Sequence, residues 1–289
     1  MLFSDKLMDA IDKKENPSVV GLDPRINLIP DEIKEDKPTD TILEFNKRII
    51  DAIYDIVPAV KPQVAFYEVF GPEGINAFLE TCKYAKKKGL IVIIDIKRND
   101  IGSTAEAYAK AWDKDYIDAM TINPYLGSDG IIPFIELADK EKGIFILVKT
   151  SNPSSKELQD LETKDGKKVY EVVGELVNEL GKPFTGERGY SAVGAVIGAT
   201  HPESAKRLRK IMPNSYFLVP GYGAQGGKGK DLIWFFNNDG YGSIINSSRG
   251  IIFAYKKSGG EFDTAAREAA INMKTDIQTA LKEAGKWPW

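Results

Sequence analysis

The chain has a single cysteine, Cys82, and a single histidine, His201, among 289 residues. One of each excludes a disulfide framework within the chain and a zinc site built from Cys and His ligands. No run of 18 apolar residues occurs, so nothing reads as a membrane span. The first twenty residues mix Asp5, Lys6, Asp9, Asp12, Lys13, Lys14 and Glu15 among apolar ones. They contain no uninterrupted apolar core of a secretory leader, and none is expected. An excess of one charge is also missing: 39 Lys and Arg stand against 42 Asp and Glu, a net charge of −3. That balance argues against nucleic acid or an anionic membrane as partner. No cofactor-binding motif is evident, so neither a cofactor nor a metal is expected. Scarce cysteine suits a reducing compartment, and a cytoplasmic location is the expectation.

What is present is ordinary globular material, 43% hydrophobic and 28% charged. Short apolar runs recur at 18–22, 59–62, 90–96, 117–122, 144–149, 192–197, 215–219 and 243–246. Most are apolar throughout, as strands of a parallel sheet covered on both faces are. Between them lie helix-like stretches at 39–54, 71–88, 104–113, 129–140, 169–180, 203–212 and 231–238, with a last one at 262–284. Ile42, Leu43, Phe45, Ile49, Ile50 and Ile53 show the helical spacing. Strict alternation leaves an open doubly wound sheet or a closed barrel. Eight units favour closure, because an open sheet would leave two edges to protect. The expectation is one α/β domain over 1–289, a (β/α)8 TIM barrel of eight parallel strands. The longer connections, 24–38, 151–168 and 220–230, all follow strands, on the face where such barrels place their sites.

The most apolar strand runs straight into alternating charge, Asp95-Ile96-Lys97-Arg98-Asn99-Asp100. On an extended strand Asp95 and Lys97 point the same way, and Asp100 follows at the turn. Carboxylates on both sides favour the ammonium form of Lys97, which suits a proton donor rather than a Schiff-base nucleophile. A salt-bridged strand end is the bland alternative, but charge at the end of a buried strand on this face favours function. The glycine-rich segment after the seventh strand carries Gln225 and reads as a lid or as a plain surface connection. After the eighth strand, Asn246-Ser247-Ser248-Arg249-Gly250 sits where barrels often bind phosphate on backbone N–H groups. Arg249 would add charge-assisted bonds to the same group. Asp23 and Lys61 end the first two strands and should face the same mouth, and Ser151 lies just past the fifth. His201 reads as part of a helix start, Cys82 as core, and the Trp287-Pro288-Trp289 tail as an anchor.

The run Asp95-Ile96-Lys97-Arg98-Asn99-Asp100-Ile101-Gly102-Ser103-Thr104 resembles the signature of the orotidine 5′-phosphate decarboxylases. The block from Lys61 to Glu68 and the chain length resemble the longer, type 2 bacterial branch, and Pro220-Gly221-Tyr222-Gly223-Ala224-Gln225-Gly226-Gly227 strengthens the resemblance to the family. The resemblance runs from Gly21-Leu22-Asp23 to Ser248-Arg249-Gly250. It implies conversion of orotidine 5′-monophosphate to UMP and CO2, the last step of de novo UMP synthesis, without metal or cofactor. It implies that Lys97 protonates C6 as CO2 leaves, with Asp95 against the substrate carboxylate. Asp100 would come from the neighbouring subunit of a homodimer with shared sites. Lys61 and Asp23 would hold ribose hydroxyls, with Thr104 contributing across the interface. Ser151 would read the base, and Gln225 and Arg249 would hold the phosphate. The Asp-x-Lys-x-x-Asp core also fits a metal-dependent sugar-phosphate lyase or aldolase of related fold. A barrel that binds phosphate ligands without turnover is a third reading.

Overall fold

Eight strands rich in Val, Ile and Ala pair in parallel, in chain order, into a closed barrel: β1 (Ser18–Leu22), β2 (Ala59–Pro62), β3 (Ile91–Arg98), β4 (Ala119–Ile122), β5 (Gly143–Lys149), β6 (Ser191–Ile197), β7 (Ser215–Pro220) and β8 (Ser243–Ser247). β8 returns to β1 with Val19 opposite Asn246. The TIM barrel expected from the alternation is the fold observed. The computed structural model describes residues 1–223 and 229–289. Among them no helix is long and apolar enough to cross a membrane.

The two-residue period of the strands sorts their side chains into two apolar clusters. Val20, Val60, Val92, Ile94, Met120, Ile146, Phe217 and Ile245 pack outward beneath the helices. There Phe45 of helix Pro38–Ile53 stacks on Phe253 and Phe262, with ring centroids 5.6 and 5.1 Å away. Val19, Ala59, Ile91, Ile93, Ala119, Phe145, Leu218 and Ile244 belong to the second cluster. They share it with Phe3, Leu7, Met8 and Ile11, one face of a helix, Phe3–Lys14, that the sequence reading did not anticipate. Phe3 meets Phe145 edge to face at 5.9 Å, so this helix plugs the barrel at the N-terminal end of its strands. Asp12 on the same helix accepts hydrogen bonds from Tyr241 Oη (2.6 Å) and Trp289 Nε1 (2.9 Å), which ties the Trp tail down as expected.

Three other boundaries differ from expectation. The stretch 231–238 forms only one helical turn, Gly229–Leu232, before a series of turns. Asn237, Asn238, Asp239 and Gly240 favour turns over helix, and Gly240 takes φ +82°. The helix expected at 129–140 is α-helical over Ser128–Ile135 and tightens to a 3-10 helix over Glu136–Lys140. The 151–168 connection holds a 3-10 turn, Pro153–Ser155, a short helix, Lys156–Gln159, and a bridge between Glu162 and Lys168.

Candidate active site

The inward face of the barrel changes from apolar to polar over one two-residue step along four strands. Ile91 and Ile93 of β3 are followed inward by Asp95, Ala59 of β2 by Lys61, Ala119 of β4 by Thr121, and Ile244 of β8 by Asn246. All four polar residues lie towards the C-terminal ends of their strands and are buried. The alternation that builds the interior core therefore also delivers a ring of polar side chains at its top.

Asp95 is the hub. Its Oδ2 accepts a hydrogen bond from Lys61 Nζ at 2.7 Å, and its Oδ1 accepts one from Lys97 Nζ at 2.6 Å and another from Thr121 Oγ1 at 2.7 Å. Burial opposes ionisation of Asp95, but the two ammonium groups outweigh it and hold the carboxyl well below the usual carboxylate range. Burial also opposes the charge on Lys61, and Asp95 and Asp23 more than compensate, so Lys61 titrates above the ordinary lysine range. The two cations differ in access: the Lys61 side chain is 6% exposed, the Lys97 side chain 43%. Lys61 is buried yet lines a small cavity, whereas Lys97 is partly exposed to solvent and is not among that cavity's lining residues.

Asp95 and Lys97 do point the same way, but the strand between them is not regular. Lys97 adopts φ +47°, a left-handed conformation that side-chain-bearing residues rarely take, and the β3–β4 register shifts between Ile94 and Arg98. Its backbone N–H donates to Thr121 Oγ1 at 3.2 Å. Arg98 turns the other way and pairs with Glu68. Asp100 is half-buried in the following turn, where Oδ1 accepts the N–H of Ile101 at 2.9 Å. Among the described residues no ion pair joins it to Lys97 of the same chain.

Asp23, Lys61 and Asp95 line a cavity of about 160 Å3, together with Pro220, Gly221, Tyr222, Asn246, Ser248 and Arg249. Asp23 Oδ1 and Asn246 Oδ1 are buried in it without a hydrogen-bond partner among the described residues. Gly21 keeps β1 and the end of β8 close: a Cβ there would lie 1.9 Å from Ser248 Oγ. Arg249 is exposed at the start of the short helix Arg249–Ile252, and with Tyr222 it also lines a neighbouring cleft of about 710 Å3. Thr104 is exposed in the first turn of helix Gly102–Trp112, and Ser151 is partly buried just past β5; neither lines the small cavity. Gln225 lies outside the described residues. Thr121 joins the site without having been singled out from sequence, while Tyr222, Asn246 and Ser248 lay within the quoted 220–227 and 246–250 runs but were given no role of their own. A threonine and an asparagine inside otherwise apolar strands were the available signal.

Comparison with known proteins agrees with this arrangement. Residues 18–259 match the family model described as orotidine 5′-phosphate decarboxylase / HUMPS family. The orotidine 5′-phosphate decarboxylase of Clostridium acetobutylicum is 46% identical over 288 residues, covering 97% of this chain and all of the relative. That of Caldicellulosiruptor bescii is also 46% identical, over 302 residues, covering 96% and 99%. The solved OMP decarboxylase of Leishmania donovani superposes with a TM-score of 0.79 at 33% identity, covering 97% of this chain and 98% of that one. With the match spanning the whole barrel and relatives nearly half identical along their full length, the chain belongs to the orotidine 5′-phosphate decarboxylase family.

Proposed function

We propose that the chain decarboxylates orotidine 5′-monophosphate to UMP, with Lys97 delivering the proton. The observation that carries this reading is the Asp95 carboxylate held between two ammonium groups at the barrel mouth. In the reaction the C6–carboxylate bond breaks, CO2 leaves, and the electron pair stays on C6. That carbon has no adjacent carbonyl to spread the charge, so a fixed cation beside it is the most direct stabilisation. Lys97 supplies the cation, and its Nζ–H becomes the C6–H bond of UMP. Asp95 orients that ammonium and lies against the departing carboxylate. Lys61, buried beside it, keeps Asp95 ionised.

The rest of the substrate fits the remaining groups. Asp23 Oδ1, a buried acceptor without a partner, takes a ribose hydroxyl, with Lys61 alongside. Arg249 and Gln225 hold the phosphate, and Ser151 reads the base. Phosphate binding lies far from C6, so its energy serves to order the site around the reacting carbon. Asp100 and Thr104 act across the interface of a homodimer. Supporting this are exposed Val69, Ile101, Tyr125 and Leu126 around the Asp100 turn, with Val69 73% and Tyr125 76% exposed. The test is direct: purified protein with orotidine 5′-monophosphate, followed by the change in pyrimidine absorbance and the release of UMP and CO2 in equal amounts. No turnover from folded protein would refute the reading.

A further inference from the structure

Lys149, the last residue of β5, is a buried cation that the proposed chemistry does not use. Its side chain is 1% exposed. Its Nζ donates to Asp160 Oδ1 at 2.9 Å and to Ser155 Oγ at 3.4 Å, and lies 5.6 Å from the ring centroid of Tyr170. Ser155 and Asp160 belong to the long connection after β5, and Tyr170 to the helix Val169–Gly181 that follows it. The segment that takes this ammonium out of water therefore also supplies its counter-charge. Burying an unpaired ammonium is unfavourable, so the segment closes over Lys149 with the Asp160 carboxylate set opposite it.

Further hydrogen bonds converge on Thr150, the residue that leads from β5 into the same segment. Gln159 accepts the N–H of Thr150 at 2.9 Å through Oε1 and donates to Thr150 Oγ1 at 2.8 Å through Nε2. His201 Nε2–H donates to the Thr150 carbonyl at 3.0 Å. Ser151 itself packs on the end of β6, where a Cβ on Gly198 would fall 2.7 Å from Ser151 Cα. Thr150 and Ser151 are thus held from the strand side, and the Lys149–Asp160 pair holds the returning end of the segment.

We propose that buried Lys149 and partly exposed Asp160 form an ionic latch that positions the 151–168 connection, and with it Ser151, at the barrel mouth. The functional part rests on the reading of Ser151 as the base contact. Both members are positioning residues and touch no substrate. Asp160→Asn should leave a buried cation without counter-charge and open the segment. Amide exchange over residues 150–160 should rise about tenfold, and kcat/KM for orotidine 5′-monophosphate should fall roughly threefold to tenfold. Adding Lys149→Met, which removes the stranded charge and keeps an apolar stem against Tyr170, should reverse both changes. In a Ser151→Ala background, Asp160→Asn should cost nothing further, since its effect runs through Ser151.

Unchanged exchange in Asp160→Asn would overturn the latch. Faster exchange with unchanged kcat/KM, where Ser151→Ala does lower it, would overturn the positioning role. Failure of Lys149→Met to reverse the exchange would show that charge pairing is not what closes the segment. If Ser151→Ala has no effect, the base-contact reading falls instead, and exchange with its reversal decides the latch alone.

Discussion

Replacing Asp95 by Asn tests whether the charge cluster is held together as the geometry implies. The substitution keeps the shape and removes the negative charge between Lys61 and Lys97. Lys97, 43% exposed, can turn its ammonium to water, but Lys61, 6% exposed, cannot. The cost is therefore dominated by one stranded buried cation, and breaking such a pair costs about 3–5 kcal/mol. Asp23 still faces Lys61 and offsets part of this, which places the expectation near the lower end. At about 2 °C per kcal/mol, the low end of the range because the chain is long, Tm should fall by about 6 °C. The pH dependence carries a sign. In the parent, the depressed Asp95 pKa contributes stability that is present above its unfolded value and lost as pH falls through the folded one. The raised Lys61 pKa contributes stability that is present below its unfolded value and lost as pH rises through the folded one. In Asp95→Asn the Lys61 pKa should instead be depressed, so the variant regains stability as pH rises towards about 10.4, the unfolded lysine value. Thermal unfolding from pH 6 to 10 should show the gap between parent and variant narrowing as pH rises. A variant as stable as the parent at pH 7, or a gap that does not change with pH, would refute the reasoning.

Lys97→Ala should abolish turnover while circular dichroism keeps the parent's signature, with Tm lowered only modestly because the removed ammonium is the one that reaches solvent. Appreciable residual activity would end its role as proton donor. Arg249→Ala should weaken use of orotidine 5′-monophosphate roughly tenfold to a hundredfold and leave a substrate lacking phosphate nearly unaffected; equal losses on both would place Arg249 elsewhere. Thr121→Val, which removes one hydroxyl and keeps the shape, should lower kcat by about tenfold, with Thr121→Ser recovering most of it. Mixing Lys97→Ala with Asp100→Asn and allowing full subunit exchange should restore about a quarter of parental activity. That follows because about half the dimers are mixed and each mixed dimer has one intact site. No recovery after exchange verified by mass would mean that each site is built from one chain.

All eight strands were legible as apolar runs because parallel strands covered on both faces leave little room for polar residues. Asp95, Lys61 and Asp23 were legible as charges closing such runs. Thr121 was harder to see, since one hydroxyl in a short strand hardly alters its apolar character and its partner lies 26 residues away. The left-handed turn at Lys97 has no signature in sequence: lysine has no preference for that conformation, and tertiary contacts impose it. Helix Phe3–Lys14 was readable in principle, from Phe3, Leu7 and Ile11 at helical spacing, but its role as a plug depends on a barrel assembled from distant residues. The 151–168 connection read as a loop because its order comes from Lys149, which in sequence looks like a strand's charged end.

The placement of Lys97 follows from a competition between local and tertiary preferences. A β3 strand extended to Arg98 would keep regular pairing with β4, and nothing in the local sequence forbids it. What is observed is a left-handed residue and a register shift, at a cost of order 1–3 kcal/mol. Two contacts compensate. The Lys97 N–H bonds to Thr121 Oγ1, and the Lys97 ammonium bonds to the carboxylate that the same hydroxyl also contacts. Thr121 thereby couples the backbone of the proposed proton donor to the charge that orients it, and neither can shift without disturbing the other. A cation that must meet a charge developing at one carbon has to be placed before the charge appears; Asp95 holds the ammonium, and Thr121 ties that carboxylate to the turn that carries Lys97.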